Sequence, residues 1–507
     1  MKKIKVIIVA SLLLVSLVNG HRLRNIGYQK IPDTFILADE RTNVWHGLSL
    51  RRNGIPVAWS SLKAYQEKIG GNIVGLKISV NGVSPTIYSF KDFPKPVAGV
   101  EELDIGKGLE YIRFVQPYFD HPPFGAVVLS LLVPKSVTTF GDLTPYDMRS
   151  VAIWLGDITL ILIFILAVLV SKKPVVGLVA TFIYGTVPSF VLLSRYALLE
   201  NVLTPIVLLV SIVAFCVVSQ KSGNLRLVKI LLVVSGVFTG LGALTKLSGW
   251  IMLPAATLLF WKNRINRKDI VKLYILPAIT IGLLYFVWGL SLSPATFFNI
   301  IYYQGIERGF IGPLNLIVAS LRVGIFRFPF DAWWLGGFVA MVYIILKKKS
   351  IFLVVPVTFL ILFNLIVAGA NYPWYYMTLI PFMCISTAWM FNDFFNKINL
   401  AKSLLLFLIY FSSSFYWGFS VNFATDPVKN FQQPFLLYRI LLLMFMGFGL
   451  LSENESFSEK FTNITKVFFI AVIILMIFLN QKSIYFILTN WGSYPSLTTP
   501  GPLFVFN

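Results

Sequence analysis

The 507-residue sequence has few charged residues. Charged side chains make up 13% of the chain, about half of the roughly 25% that soluble domains carry. Hydrophobic residues make up 57%, and the mean hydropathy is +0.77. This composition excludes an ordinary soluble domain.

Cysteine is also scarce. The chain has two cysteines, Cys216 and Cys384, and both lie inside apolar runs. This placement excludes a disulfide framework and a cysteine-based metal site. The sequence also lacks internal repeats and low-complexity segments, and it shows no soluble nucleotide-binding domain.

Long apolar runs dominate the sequence instead. Many approach the ~20 residues that a helix needs to cross a bilayer, and they do not alternate as barrel strands do. The pattern predicts an all-α polytopic membrane protein with about thirteen transmembrane helices. After the first helix, the predicted spans are approximately 150–170, 174–193, 201–219, 228–246, 248–261, 270–292, 331–346, 351–368, 374–391, 402–422, 434–451 and 466–480.

The basic residues set the predicted orientation. The net charge is +21, and much of it lies in short loops such as Lys172-Lys173, Lys262 to Lys268 and Lys347 to Lys349. This is the positive-inside pattern, so the charge needs no nucleic-acid partner, although docking of an anionic lipid stays open. The N-terminus is predicted inside and the C-terminus outside.

The first apolar segment, Met1 to Gly20, has the features of a signal peptide. Lys2, Lys3 and Lys5 precede an apolar core. A signal-peptide cleavage site needs small residues, and the bulky Asn19 does not fit this pattern. We therefore predict an uncleaved first helix.

A long polar loop, about residues 20–149, follows this helix and is predicted to be extracytoplasmic. It contains the acidic pair Asp39-Glu40, strand-like alternation near Ile73 to Tyr88, and His121-Pro122-Pro123. The apolar run from Phe124 to Val137 is short and bracketed by proline, so we predict a juxtamembrane helix there. A second surface or re-entrant helix is predicted over Gly312 to Phe328.

This topology brings polar residues from distant parts of the chain to one membrane face. Charged groups at membrane depth are costly and usually mark a cavity or pathway. The predicted set is Asp39, Glu40, His121, Arg149, Arg195, Glu200, Lys246 and the segment 372–376.

An ordered series of motifs carries a family resemblance. Asp39-Glu40 is followed by His121-Pro122-Pro123, by Arg149 at the start of a span, by the segment Ser194 to Glu200, and by Leu244-Thr245-Lys246. With Pro373-Trp374-Tyr375-Tyr376, the series resembles the polyprenyl-phosphate-sugar-dependent glycosyltransferases of the GT-C fold. The most similar groups are the protein O-mannosyltransferases and the lipid A aminoarabinose transferases (glycosyltransferase family 39). The resemblance covers residues 1–390, and residues 391–507 are predicted to form further helices and an outer tail.

The resemblance implies a role for each matching residue. Asp39 maps onto the family's catalytic base, with Glu40 beside it, and His121 is expected to position substrate. The donor-binding residues implied are Arg149, Arg195, Glu200, Lys246, Tyr375 and Tyr376.

Each of these residues also has a plain structural explanation. An acidic pair occurs in solvated loops, and an arginine at a helix end extends its charged group to the interface. Tyrosines at a span end commonly form an interfacial belt. His121 could simply orient the helix that follows its Pro-Pro turn.

The resemblance also implies partners and a location. The expected donor is a polyprenyl-phosphate sugar, and the acceptor is a protein, lipid or glycan, selected by residues 60–110. No metal is expected to be required, although Asp39, Glu40 and Glu200 could together hold a divalent cation. The active site is expected on the extracytoplasmic face of the plasma membrane. A polytopic transporter or lipid-linked sugar flippase, and a non-catalytic glycan-assembly subunit, are the alternative functions.

Overall fold

The chain is almost entirely helical. The computed structural model describes residues 2–29, 36–60, 62, 65, 75–79, 109–138, 142–219, 225–307, 332–348, 351–366, 373–396, 398–419, 432–453 and 458–489. In chain order its elements are α1 (Lys2–Asn25), α2 (Ile36–Asn53), β1 (Ala58–Trp59), β2 (Gly75–Ser79), β3 (Leu109–Val115), α3 (Pro123–Leu129), α4 (Pro145–Ser171), α5 (Pro174–Thr186), α6 (Pro188–Leu193), α7 (Leu199–Ser219), α8 (Leu225–Thr245), α9 (Met252–Lys262), α10 (Arg267–Leu292), α11 (Pro294–Tyr302), α12 (Trp333–Lys348), α13 (Val354–Ile366), α14 (Ile380–Asn396), α15 (Leu400–Leu405), α16 (Ser412–Phe419), α17 (Gln432–Leu451) and α18 (Ser458–Thr489).

The helices confirm an all-α polytopic membrane protein. Within the described residues, six segments are long and apolar enough to cross a membrane: Val6–Asn25, Pro145–Ser171, Leu199–Ser219, Leu225–Thr245, Arg267–Leu292 and Asn463–Tyr485. Four shorter apolar helices accompany them: Pro174–Thr186, Trp333–Lys347, Leu400–Phe415 and Phe435–Leu451. The count of thirteen spans is not confirmed by this set and stays a prediction.

One predicted span is broken into two helices. The run 174–193 was expected to be continuous, but α5 ends at Thr186 and α6 begins at Pro188. Val187 between them is extended, with ψ 125°. A residue before proline is disfavoured in the helical conformation, which explains the break.

The structure confirms that the apolar run after the Pro-Pro turn does not span the membrane. It forms α3, which has seven residues, Pro123 to Leu129. At 1.5 Å per residue such a helix covers about 10 Å, a third of the hydrocarbon core. The predicted helix over Gly312 to Phe328 lies outside the described residues.

A small antiparallel sheet with strand order β1-β3-β2 forms part of the long polar loop between α1 and α4. Ala58 pairs with Val115, and Gly75 pairs with Arg113. Strand β2 falls within the predicted alternation near Ile73 to Tyr88, and the rest of that stretch lies outside the described residues.

The first helix is fixed to the bundle by charged contacts. Helix α1 continues beyond Gly20 to Asn25 and packs on α4 and α5. Arg24 is fully buried, and its Nη1 lies 3.4 Å from the Asp157 carboxylate on α4. The His21 imidazole nitrogen Nδ1 lies 2.6 Å from the same carboxylate. A glycine is required at position 156, since a Cβ there would lie 2.7 Å from the Arg24 guanidinium.

The described residues form four hydrophobic cores, two of which bear on the predicted boundary and on the position of α2. The large core runs from Leu160 to Leu479, across residue 390, where the boundary was predicted. The second core joins Trp45 and Leu48 of α2 to Ala126 of α3 and Ala152 of α4. Burial of each large apolar side chain contributes about 1.5–3 kcal/mol. This second core therefore fixes α2, which carries the acidic pair, onto the bundle.

Candidate active site

A cavity of ≈ 130 Å³ lies where α2, the β3–α3 turn, the start of α7 and the end of α8 meet. Five of the nine predicted site residues line it: Asp39, His121, Glu200, Lys246 and Tyr375. The other four, Glu40, Arg149, Arg195 and Tyr376, are not among its lining residues. The predicted functional roles of all nine stay predictions.

Helix α2 separates the two carboxylates of the acidic pair. Successive residues of an α-helix are rotated by about 100°, so Asp39 and Glu40 face different surroundings. Asp39 is partly exposed and lines the cavity, whereas Glu40 has no exposed surface. Of the two, Asp39 alone is placed to meet a ligand in the cavity.

Glu40 is held in a buried ion pair with Arg149. Arg149 Nε donates to Glu40 Oε1 at 2.8 Å, and Arg149 Nη2 donates to Glu40 Oε2 at 2.6 Å. The Ala197 backbone N–H also donates to Glu40 Oε1, at 2.8 Å. Arg149 is fully buried, and its guanidinium lies 5.0 Å from the centroid of the Tyr196 ring. Arg149 therefore binds Glu40 and does not line the cavity.

The segment Ser194 to Glu200 contacts three other parts of the chain in succession. Ser194 Oγ accepts from Arg24 Nε at 2.8 Å, and Arg195 Nη1 donates to the Ile26 carbonyl at 2.7 Å. Ala197 contributes its N–H to Glu40, as above, and its carbonyl accepts from Asn43 Nδ2 at 3.1 Å. This segment links α1 and α2 to the start of α7.

Arg195 lies beside this network, fully buried. Burial, with a smaller contribution from the neighbouring Arg149, lowers the pKa of Arg195 to about 9, although Tyr196 and Glu40 oppose the shift. Desolvation disfavours the charged form of a cation, which is the physical cause of this shift.

Lys246 is the cation of the cavity wall in the described part of the chain. It follows α8 directly, and its ammonium group donates a short hydrogen bond to Glu200 Oε1 in the first turn of α7. The same ammonium lies 4.2 Å from the centroid of the Tyr375 ring. The side chains of Lys246 and Glu200 are 13% and 4% exposed, so their charges interact with little screening by water.

Tyr376, next to Tyr375, is oriented differently. Its side chain is buried and is not among the lining residues of the cavity. Adjacent residues of the Pro373–Leu379 3₁₀ turn point in different directions. Tyr375 alone of the two reaches the cavity wall.

Sequence patterns did not predict Asp120 as a site residue. It lines the cavity, and its carboxylate accepts from Ser60 Oγ at 2.6 Å and from the Tyr65 hydroxyl at 2.9 Å. Burial, and then the neighbouring Asp120, raise the pKa of Tyr65 well above its ordinary value. The signal was present in the sequence, because Asp120 directly precedes the His121-Pro122-Pro123 motif.

Sequence patterns also did not predict Trp59, Tyr118 and Thr42 as cavity residues. Trp59, Tyr118 and Trp374 line the cavity together with Tyr375, as does Thr42 one helical turn after Asp39. Flat aromatic faces suit the apolar faces of a sugar ring, so these residues complement the charged groups.

The three carboxylates proposed to hold a divalent cation do not converge. Glu40 faces Arg149, away from Asp39 and Glu200. Among the described residues, no group of three or more His, Cys, Asp and Glu side chains is arranged to hold a metal ion. The need for a metal ion therefore stays a prediction.

The arrangement combines three chemical capabilities. Asp39 offers a carboxylate that can accept a proton, and Lys246 offers a positive charge for a developing anion. The aromatic residues offer a surface for a ring. These groups suit a reaction in which an acceptor loses a proton while an anionic group leaves.

Comparison with known proteins bears on that chemistry. A family model described as dolichyl-phosphate-mannose-protein mannosyltransferase matches residues 110–303. This range contains His121, Arg149, Arg195, Glu200 and Lys246. It does not contain the acidic pair. A search of curated proteins gives no match.

Two solved structures share a loose arrangement of helices with the chain. ArnT from Cupriavidus metallidurans in the apo state is 13% identical, with a TM-score of 0.47, over 76% of this chain and 68% of that one. The Archaeoglobus fulgidus oligosaccharyltransferase in the apo form is also 13% identical, with a TM-score of 0.47, over 94% of this chain and 56% of that one. The chain thus spans little more than half the length of the oligosaccharyltransferase. Neither likeness is close enough to bear on function.

The family match covers the segment that supplies most of the predicted donor-binding residues. It confirms the predicted resemblance to membrane glycosyltransferases that use a lipid-linked sugar donor.

Proposed function

We propose that the chain transfers a single sugar from a polyprenyl-phosphate donor to an extracytoplasmic acceptor, with Asp39 as general base and inversion at the anomeric carbon. The observation that carries the proposal is the placement of Asp39 and Lys246 on the walls of one cavity. A proton acceptor and a phosphate-binding cation are the two charges that this transfer needs.

The reaction follows from these positions. The acceptor hydroxyl or amine gives its proton to Asp39 as its oxygen or nitrogen forms a bond to the anomeric carbon. The bond between that carbon and the phosphate oxygen breaks, and the electron pair leaves with the polyprenyl phosphate. A single displacement of this kind inverts the anomeric centre. Lys246 gives up its contact with Glu200 and binds the leaving phosphate, which it stabilises.

Glu40 and Arg149 act on this reaction by position. Their buried pair fixes the first turn of α2, and with it the direction of Asp39. Arg195 holds the loop before α7 through the Ile26 carbonyl and adds positive charge behind the cavity. His121 and Tyr375 complete the wall around the sugar, whereas Tyr376 supports the turn that carries Tyr375.

The predicted topology gives the location. Because the residues of the cavity come from the predicted outer ends of the spans, the site faces the extracytoplasmic side of the plasma membrane. The lipid donor then enters sideways from the bilayer. The acceptor is a protein, lipid or glycan that approaches from outside.

The test is sugar transfer in membranes that contain the full chain and a labelled polyprenyl-phosphate sugar. Asp39→Asn is compared with the wild type at matched expression, with Asp269→Asn in the α10 start as the matched control. We expect Asp39→Asn to lower kcat by about 10²–10⁴-fold, the typical contribution of a general base. Asp269→Asn is expected to keep wild-type transfer.

Equal transfer by wild type and Asp39→Asn would remove Asp39 as the base. Absence of transfer by the wild type with every donor tried would instead favour a non-catalytic assembly subunit or a flippase.

We also propose that transfer requires no metal ion, because Lys246 already supplies positive charge beside the cavity. Treatment with EDTA is expected to leave the rate unchanged. Loss of transfer on chelation, with recovery on addition of one divalent cation, would establish a metal requirement.

A further inference from the structure

Thr42 is a buried residue of the cavity wall. It lies on α2, lines the cavity and is 4% exposed. Within the described part of the chain, its Oγ1 has no hydrogen-bond partner. A buried hydroxyl without a partner loses its hydration and gains nothing in return, which is unfavourable.

Three other helical threonines of the described residues avoid that situation. Thr159, Thr204 and Thr245 each donate their hydroxyl to the carbonyl four residues earlier, at 2.7–2.8 Å. This local bond is the usual solution for a threonine inside a helix. Thr42 differs because its hydroxyl makes no such bond.

The position of Thr42 indicates which group of a substrate in the cavity lies closest to it. Asp39 and Thr42 are three residues apart, so they share one face of α2 with Cβ atoms about 5–6 Å apart. In the proposed reaction, Asp39 contacts the acceptor atom that attacks the anomeric carbon. Among the sugar hydroxyls, the one on the neighbouring ring carbon lies closest to that atom.

The chemistry also matches. A threonine hydroxyl donates one hydrogen bond and accepts others, as a sugar hydroxyl does. Neighbouring Asn43 is engaged elsewhere, since its amide donates to the Ala197 carbonyl. In sugar transfer, hydrogen bonds to the hydroxyl beside the anomeric carbon strengthen as the transition state forms.

We propose that Thr42 hydrogen-bonds the hydroxyl beside the anomeric carbon of the transferred sugar and thereby selects donors that carry one. This inference rests on the proposed function. It adds a specificity-determining residue on the same helix face as the base.

The test compares two polyprenyl-phosphate donors, one carrying mannose or glucose and one carrying their common 2-deoxy analogue. We expect Thr42→Val, which keeps the shape of the side chain, to lower kcat/KM by about 5–10-fold with the hydroxylated donor, as for one uncharged hydrogen bond. With the 2-deoxy donor, Thr42→Val and the wild type should agree within about twofold, since the bond is absent from both. Thr42→Ser should retain the preference for the hydroxylated donor.

Thr159→Val is the matched control, because that threonine is equally buried but bonds within α4. It should leave the ratio between the two donors at the wild-type value. Equal losses by Thr42→Val with both donors would overturn the role of Thr42 and leave the proposed function standing. Failure of the wild type to transfer from either hydroxylated donor would remove the proposed function and, with it, this inference.

Discussion

The Glu40 carboxylate and the Arg149 guanidinium, 109 residues apart in sequence, meet through three hydrogen bonds, and neither side chain has any exposed surface. The Ala197 N–H completes the set of donors around the carboxylate. A charge removed from water is tolerable only when it is paired and hydrogen-bonded. The pair therefore joins α2 to α4 and restricts the movement of the two helices relative to each other.

Loss of one member of this pair should destabilise the protein strongly. Arg149→Met leaves the Glu40 carboxylate buried without its counter-ion, at a cost of about 3–5 kcal/mol in the free energy of unfolding. The double variant Glu40→Gln with Arg149→Met should recover part of that loss, because no charge is left unpaired. Thermal unfolding in detergent measures both effects.

Lys135→Met is the matched control for this pair, since it removes an exposed positive charge from the turn after α3. It should change the free energy of unfolding by less than about 0.5 kcal/mol. Additive losses in the double variant would show that the two side chains do not stabilise each other.

Lys246→Met should weaken recognition of the lipid phosphate. Removal of a cation that stabilises a leaving group is expected to lower kcat/KM for the donor by about 10²–10³-fold. Inhibition by polyprenyl phosphate should weaken in the variant, whereas inhibition by the uncharged polyprenol should not change. Lys172→Met, in the loop between α4 and α5, is the control. Unchanged inhibition by the phosphate would contradict a phosphate-binding role.

Gly47→Ala should disturb the contact between α2 and α3. A Cβ at position 47 would lie 1.9 Å from the Ala126 carbonyl oxygen, a backbone atom that cannot move aside. We expect a loss of about 1–3 kcal/mol in the free energy of unfolding. Gly447→Ala in α17 is the matched control, because nothing lies within 4 Å of its Cβ position. That change should stabilise by about 0.5–1 kcal/mol, and equal effects of the two changes would refute the close approach.

His46 should make the protein less stable in acid. Burial lowers the pKa of His46 to about 3 from its ordinary value of 6.5. Between these values the unfolded chain binds a proton that the folded chain does not, so stability falls as the pH drops below about 6.5. The slope is about 1.4 kcal/mol per pH unit. His46→Phe should flatten the dependence of unfolding on pH between 6.5 and 5, and an identical slope in both proteins would remove His46 as its cause.

The sequence located the site better than it assigned the residues within it. Positive-inside charges and apolar runs placed Asp39, Glu200 and Lys246 on one face, and all three line the cavity. Adjacency in the sequence does not reveal orientation, however. Which carboxylate of the acidic pair faces the cavity depends on Arg149, a distant residue whose position is set by packing.

Two further features differ in how far the sequence encodes them. The sequence position of Thr42 does not distinguish it from other helical threonines. That its hydroxyl lacks a hydrogen-bond partner is visible only in the structure. The break at Pro188 was accessible from sequence, since the residue before proline resists the helical conformation. The prediction of one continuous span followed instead from the long apolar run around Pro188.

The segment from Ser194 to Glu200 has a consequence for how a lipid enters and leaves. The segment contacts Arg24 and Ile26 at the end of α1, Glu40 of α2, and Lys246 directly after α8. These contacts hold it along its whole length. A segment anchored in this way moves as one piece with its neighbours. The start of α7 and the helix that carries Asp39 therefore keep their spacing while substrates exchange.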